Sequence, residues 1–139
     1  MGEIVGKFMM DRPGYPAVDL SANNTVLTAI GNDYGFDEVF SRQIASLGEP
    51  GDLFIGFTTS GNSKNIVKAI EEARINGMSI IIVSGKDGGT INKENLIKDT
   101  EQLIAHSNST AVIQVVHGFI LHQLAWAVDE MYMEDNGQV

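Results

Sequence analysis

Apolar positions along the chain follow two rhythms. Short runs at Ala17 to Leu20, Leu53 to Thr58, Ser79 to Ser84 and Gln102 to Ala105 read as buried strands. Around them, apolar residues recur every three or four positions, which predicts helices over Asn24 to Ile30, Asp37 to Leu47, Ser63 to Asn76 and Thr110 to Tyr132. Alternating strands and helices need crossover connections, so the expected class is α/β, a parallel sheet with helices on both faces.

The two longest helical patterns differ. Between Ser63 and Asn76, Ile66, Val67, Ile70 and Ala73 mark one face, Lys64, Lys68, Glu71, Glu72 and Arg74 mark the other, and Gly77 ends the helix. In the last helix Val112, Ile113, Val115, Val116, Phe119, Ile120, Leu121, Leu124, Ala125, Trp126 and Val128 surround nearly the whole circumference. A helix apolar on all sides is expected to be buried on all sides. One small domain can hardly supply that cover, so this helix is expected to join subunits.

Composition narrows the class. A length of 139 residues suits one domain, spanning 1–139, and a hydrophobic share of 43% with 19% charged residues excludes a disordered chain. The formal charge of −9 repels polyanions, so nucleic acid is not an expected partner. No cysteine is present, which leaves His, Asp, Glu and Gln as metal ligands and oxygen or imidazole groups for catalysis. No signal-like start is seen and no stretch reads as a membrane span, so the expectation is a cytoplasmic protein with no membrane partner.

The candidate chemistry follows the second apolar run. Thr58-Thr59-Ser60-Gly61-Asn62-Ser63 links a strand to an amphipathic helix. A helix start carries unpaired N–H groups and positive potential, Gly61 permits close approach, and the hydroxyls of Thr59, Ser60 and Ser63 donate to phosphate oxygens without a metal. Ser and Asn at this place also suit an ordinary N-cap. Neither G-x-x-x-x-G-K-[ST] nor G-x-G-x-x-G occurs, which favours a small phosphate ester over a nucleotide.

The stretch Gly51 to Asn65 resembles the signature of sugar-isomerase (SIS) domains. Asp11-Arg12-Pro13-Gly14-Tyr15-Pro16-Ala17, Gly31 to Phe36, Phe40-Ser41-Arg42, Gly85 to Gly89 and Ile113-Gln114 are similar, in the same order, to the phosphoheptose isomerases. The resemblance implies an SIS-type three-layer α/β/α fold, a homotetramer with sites at subunit boundaries, and isomerisation of sedoheptulose 7-phosphate to D-glycero-D-manno-heptose 7-phosphate for bacterial lipopolysaccharide or related surface glycans. Carried over by motif, Thr58, Thr59, Ser60 and Ser63 hold the phosphate, Glu3 and His122 are the catalytic carboxylate and imidazole, and Gln114 joins them as ligand to Zn²⁺. The family's N-terminal segment, with its first strand and a metal-binding histidine, has no counterpart in the sequence. Lys7 stands in place of the usual arginine, and Val115 in place of the usual glutamate.

Each assignment has a plainer counterpart. His122 also suits a structural role on a buried helix, and Gln114 a helix–helix hydrogen bond. His117, on another face, is expected to pack. His106 ends a strand and suits a turn or a site. Asp33, in a glycine-flanked loop, is a candidate acceptor for substrate hydroxyls or an Asx-turn residue. Glu3 lies two residues from the start of the sequence, where a carboxylate is expected to fray. Gly85 to Gly89 reads first as a turn, then as a ligand loop. Gln114 and His122, eight residues apart, differ by about 12 Å of rise and about 80° of rotation on a continuous helix, so a site using both is expected to draw them from different subunits unless the helix bends at Gly118. The rival class is a non-catalytic SIS module, a sugar-phosphate sensor or a replication-initiator-associating protein; the resemblance of that branch stops short of a histidine matching His122.

Overall fold

The β-branched and aromatic runs form a parallel sheet, buried on one face at Phe54, Ile80 and Ile82 and left partly open within the chain on the other, at Leu53, Ile55 and Leu103. In the computed structural model, which describes residues 1–94 and 101–137, the strands are Leu53–Thr58 (β1), Ser79–Gly85 (β2) and Glu101–Ala105 (β3), in the order β1-β2-β3. Phe54 is paired with Ile80, Thr58 with Ser84 and Gly85 with Ala105. This register brings the C-terminal ends of all three strands to one edge, where the following loops gather.

The helices are Gly2–Val5 (α1), Asn24–Asp33 (α2), Ser41–Leu47 (α3), Lys64–Ile75 (α4), Gly89–Lys93 (α5) and Thr110–Asp135 (α6), with a 3-10 turn at Phe36–Glu38. Asn23 caps α2 by accepting the Val26 amide at 3.1 Å. These elements form two compact units, one of residues 1–19 with 118–139 and one of residues 20–117.

In the second unit the sheet lies between two helical layers. Ile44 of α3, Ile66, Ala69, Ile70 and Ala73 of α4, and Ile91 of α5 pack on Phe54, Ile80 and Ile82. Ile70, Ile82 and Ile91 are fully buried, each contributing about 1.5–3 kcal/mol relative to exposure. On the opposite face, α6 enters with Ile113 against Gly85 and with His117, whose ring lies 5.7 Å from that of Phe57. His117 therefore packs, as expected, with Nε2 3.1 Å from the Ser84 carbonyl.

Three expectations need correction. Ala17 to Leu20 is not a strand: Val18 is exposed, and the Leu20 carbonyl is satisfied by the Gln43 amide side chain at 3.0 Å in place of a ladder partner. Asp37 to Leu47 is not one helix, because the chain breaks between the 3-10 turn and α3, where the Ser41 hydroxyl turns back on the Glu38 carbonyl and carboxylate. The last helix, as its all-round apolar surface predicts for so small a domain, is only partly covered within one chain: Val112, Val115, Phe119, Trp126 and Met131 are exposed. Finally, α6 is long and apolar enough, by length and composition alone, to cross a membrane. That criterion is also met by helices of soluble cores and interfaces.

Candidate active site

The hydroxyl-rich turn is closed by its own side chains. Thr58, at the end of β1 and buried, places Oγ1 3.0 Å from Ser63 Oγ and accepts the Gly61 amide at 3.2 Å. Ser60 Oγ accepts the Asn62 amide at 3.1 Å. Gly61 takes φ +67°, and a Cβ there would lie 2.0 Å from the Gly88 carbonyl oxygen, so only glycine lets the turn pass under the next loop. Thr59, Ser60 and Ser63 remain half-buried, with surface facing solvent.

Ser63 is the residue before α4, yet its side chain makes no capping hydrogen bond to the helix. Its hydroxyl is engaged with Thr58 instead. The first turn of α4 carries no acidic residue, and Lys64, exposed, occupies its first position. A cation at a helix N-terminus opposes the dipole. A phosphate bound there would satisfy the helix amides and offset Lys64 together.

The next loop fastens the turn in place. Asn62 Oδ1 accepts the Thr90 amide at 2.8 Å and the Thr90 hydroxyl at 2.9 Å, and Ile91 donates its amide to the Gly61 carbonyl at 3.2 Å. Gly85 to Gly89 is thus a turn, with Lys86 at φ +58° and Gly88 at φ +82°, and α5 starts from it. Asp87 accepts the Gly89 amide and pairs with Lys93 at 2.9 Å; these contacts, the lysine hydrogen bond foremost, hold its carboxyl below the usual range. His106, following β3, is exposed with Nδ1 3.3 Å from the Lys86 carbonyl, and it lines an open cleft of about 460 Å³ with Lys86, Asp87, Ser107 and Asn108. Asp33 is the last residue of α2 rather than part of a loop, and its carboxylate accepts the Asn32 side-chain amide at 2.8 Å. Gln114 is exposed on α6.

In the other unit, Glu3 lies half-buried in α1, and His122 is an exposed residue of α6 whose ring stacks on Phe8, centroids 5.6 Å apart and planes 18° from parallel. The Glu3 main chain is tied down, because Arg12 donates to its carbonyl at 3.0 Å. Arg12 is in turn paired with Asp129 at 2.6 Å. Burial works against the charged Asp129 carboxylate, but the Arg12 hydrogen bond and the Met9 and Met10 amides outweigh it and leave the group below its ordinary value.

Three partners were not assigned from sequence: Asn62 as the clasp to Thr90, Phe8 as the platform for His122, and Arg12 with Asp129. Asn62 lies inside the hydroxyl turn and Arg12 inside the Asp11 to Ala17 stretch, so both were marked by their segments. Their partners, 28 and 117 residues away, were not.

Residues 1–85 match the SIS domain family. The chain is 46% identical over 129 residues to a phosphoheptose isomerase of Trichlorobacter lovleyi, covering 93% of this chain and 64% of that protein. It is 42% identical over 137 residues to one of Shewanella sediminis, covering 98% and 69%. A solved phosphoheptose isomerase structure from Francisella tularensis superposes with a TM-score of 0.87 at 36% identity, over 93% of this chain and 67% of that one. The chain therefore spans about two thirds of the length of these relatives, and the three-layer α/β/α architecture is theirs as well.

Proposed function

Because this chain belongs to the SIS-domain family of phosphoheptose isomerases, we propose that it isomerises sedoheptulose 7-phosphate to D-glycero-D-manno-heptose 7-phosphate, a soluble cytoplasmic step toward the heptose of bacterial lipopolysaccharide or related surface glycans. The observation that carries this reading is at Ser63: a helix-start serine that declines to cap α4 and, with the Ile66 amide taken by Asn65 Oδ1 at 2.9 Å, leaves the Lys64 and Asn65 amides to an anion. In this reading Thr59, Ser60 and Ser63 donate to the phosphate, Thr58 braces them, and Asp33 takes a sugar hydroxyl. Moving a proton between C1 and C2 through an enediol needs a base and a group that steadies the oxyanion. Glu3 serves as the base and His122 as the proton donor to oxygen.

Among the described residues of one chain, no three His, Asp or Glu side chains gather to hold a metal. We propose that Glu3, Gln114 and His122 serve a Zn²⁺ shared between protomers of a homotetramer. Helix α6 runs unbroken through Gly118, so Gln114 and His122 stay about 12 Å apart in rise. The exposed apolar residues of α6 supply a surface for that assembly.

The test is incubation of the purified chain with sedoheptulose 7-phosphate, with and without Zn²⁺, beside His122→Ala. Product formed by the wild-type chain and lost in the variant is the expected result. Binding of the sugar phosphate with no product under either condition would replace the isomerase with the non-catalytic sensor.

A further inference from the structure

We infer that Arg12, oriented by Asp129, is the positioning residue that fixes the Glu3 main chain against the face of α6 bearing His122. The inference rests on the proposed role of Glu3 as base. Glu3 lies in the four-residue α1, far below the length at which a helix holds itself together. Such a helix leaves its last carbonyls without partners, and Arg12 takes two of them: Nη2 donates to the Glu3 carbonyl at 3.0 Å and Nη1 to the Ile4 carbonyl at 3.2 Å. The Tyr15 amide donates to the same Ile4 carbonyl at 3.1 Å. Gly14 lies so close that a Cβ would be 2.0 Å from the Val5 carbonyl oxygen. Glu3 is therefore held from outside its own helix.

The clamp is anchored on α6. The Arg12 side chain is fully buried, and its Nε donates to Asp129 Oδ1 at 2.6 Å, while Asp129 Oδ2 accepts the Met9 and Met10 amides at 3.0 and 3.3 Å. Asp129 follows His122 by seven residues, about two turns, so both lie on nearly the same side of the helix. Phe8, between Glu3 and Arg12 in the chain, stacks on His122. A buried ion pair is a poor source of net stability, since apolar residues of similar size hold a fold as well or better. What the pair supplies is direction, because a planar guanidinium reaches three carbonyls, of Glu3, Ile4 and Pro13, and a carboxylate at fixed angles and lysine does not.

The experiment compares Arg12→Lys and the double variant Arg12→Met/Asp129→Leu with the full wild-type chain, following kcat and KM for sedoheptulose 7-phosphate, thermal unfolding, and amide exchange at Ile4, Val5 and Gly6. The double variant is expected to unfold near the wild-type temperature and to keep KM, while kcat falls about 100-fold, the scale of a misplaced catalytic group. Arg12→Lys is expected to show the same split and carries the test if the double variant does not fold. Exchange at the three amides should rise about tenfold in either variant. A folded variant with wild-type kcat and wild-type exchange overturns the inference. Glu3→Gln separates the two levels: if it keeps full turnover, the role of Glu3 as base fails, and the exchange rates alone then decide whether Arg12 holds this segment.

Discussion

The Asn62 side-chain oxygen accepts both the amide and the hydroxyl of Thr90, at 2.8 and 2.9 Å, and so ties the turn after β1 to the first residues of α5. The shape of the proposed anion site thus depends on a residue 28 positions away, and a change at Asn62 tests shape and charge separately. Asn62→Asp keeps an acceptor for Thr90 and adds a negative charge beside the phosphate. Sugar-phosphate affinity is expected to fall about tenfold, about 1.4 kcal/mol, with the loss shrinking as salt is raised. Unfolding in urea should change by less than about 1 kcal/mol. Titration calorimetry at two salt concentrations reads the first effect.

Ser63→Ala distinguishes the anion turn from a plain helix cap. A capping serine is worth about 1 kcal/mol, but Ser63 makes no such bond. The variant is expected to lose less than that in urea unfolding and to bind the sugar phosphate about tenfold more weakly, a net hydrogen bond to a charged group being worth about 1.5–3 kcal/mol. A large stability loss with unchanged binding would return Ser63 to the role of cap.

Ile82 is fully buried at the centre of the sheet, between α4 and the neighbouring strands. Ile82→Ala is expected to cost about 2–5 kcal/mol, the transfer and cavity contributions together. The midpoint of a urea transition, with an unchanged slope, measures it.

Acid should loosen the Arg12–Asp129 clamp. The folded-state pKa of Asp129 is depressed below the ordinary 3.8, so its contribution is fully present above that value and is lost as pH falls through the folded pKa. Unfolding free energy measured from pH 6 downward is expected to decline more steeply for the wild type than for Asp129→Asn, whose side chain carries no titrating proton. Parallel curves would show that the carboxylate is not coupled to folding.

Val115 is 73% exposed in the single chain, a poor place for a valine unless another surface covers it. Val115→Lys is expected to leave the helix intact and shift sedimentation toward smaller species, because burying an unpaired ammonium is far costlier than burying an isopropyl group. Sedimentation velocity over a range of concentrations decides the point.

Periodicity carried β1, β2, β3, α4 and α6, because each carries an apolar run or face whose spacing is local and independent of distant partners. The hydroxyl turn was legible for the same reason: a strand, a glycine at positive φ and a helix start follow one another within a dozen residues. Ala17 to Leu20 misled because an apolar run specifies burial and not a neighbouring strand; the side chain of Gln43 took the place of a ladder. The circumference of α6, by contrast, was legible: it carries more apolar surface than one small domain covers, and the chain itself covers only part of it. Tertiary structure alone decided that Asn62 meets Thr90, that the Ser63 side chain turns to Thr58 and not to the amides of α4, and that Arg12 joins Glu3 to Asp129. Those are directional bonds between polar groups, most of them far apart in sequence, and one residue type serves equally well as cap, clasp or solvated surface until folding fixes its partner.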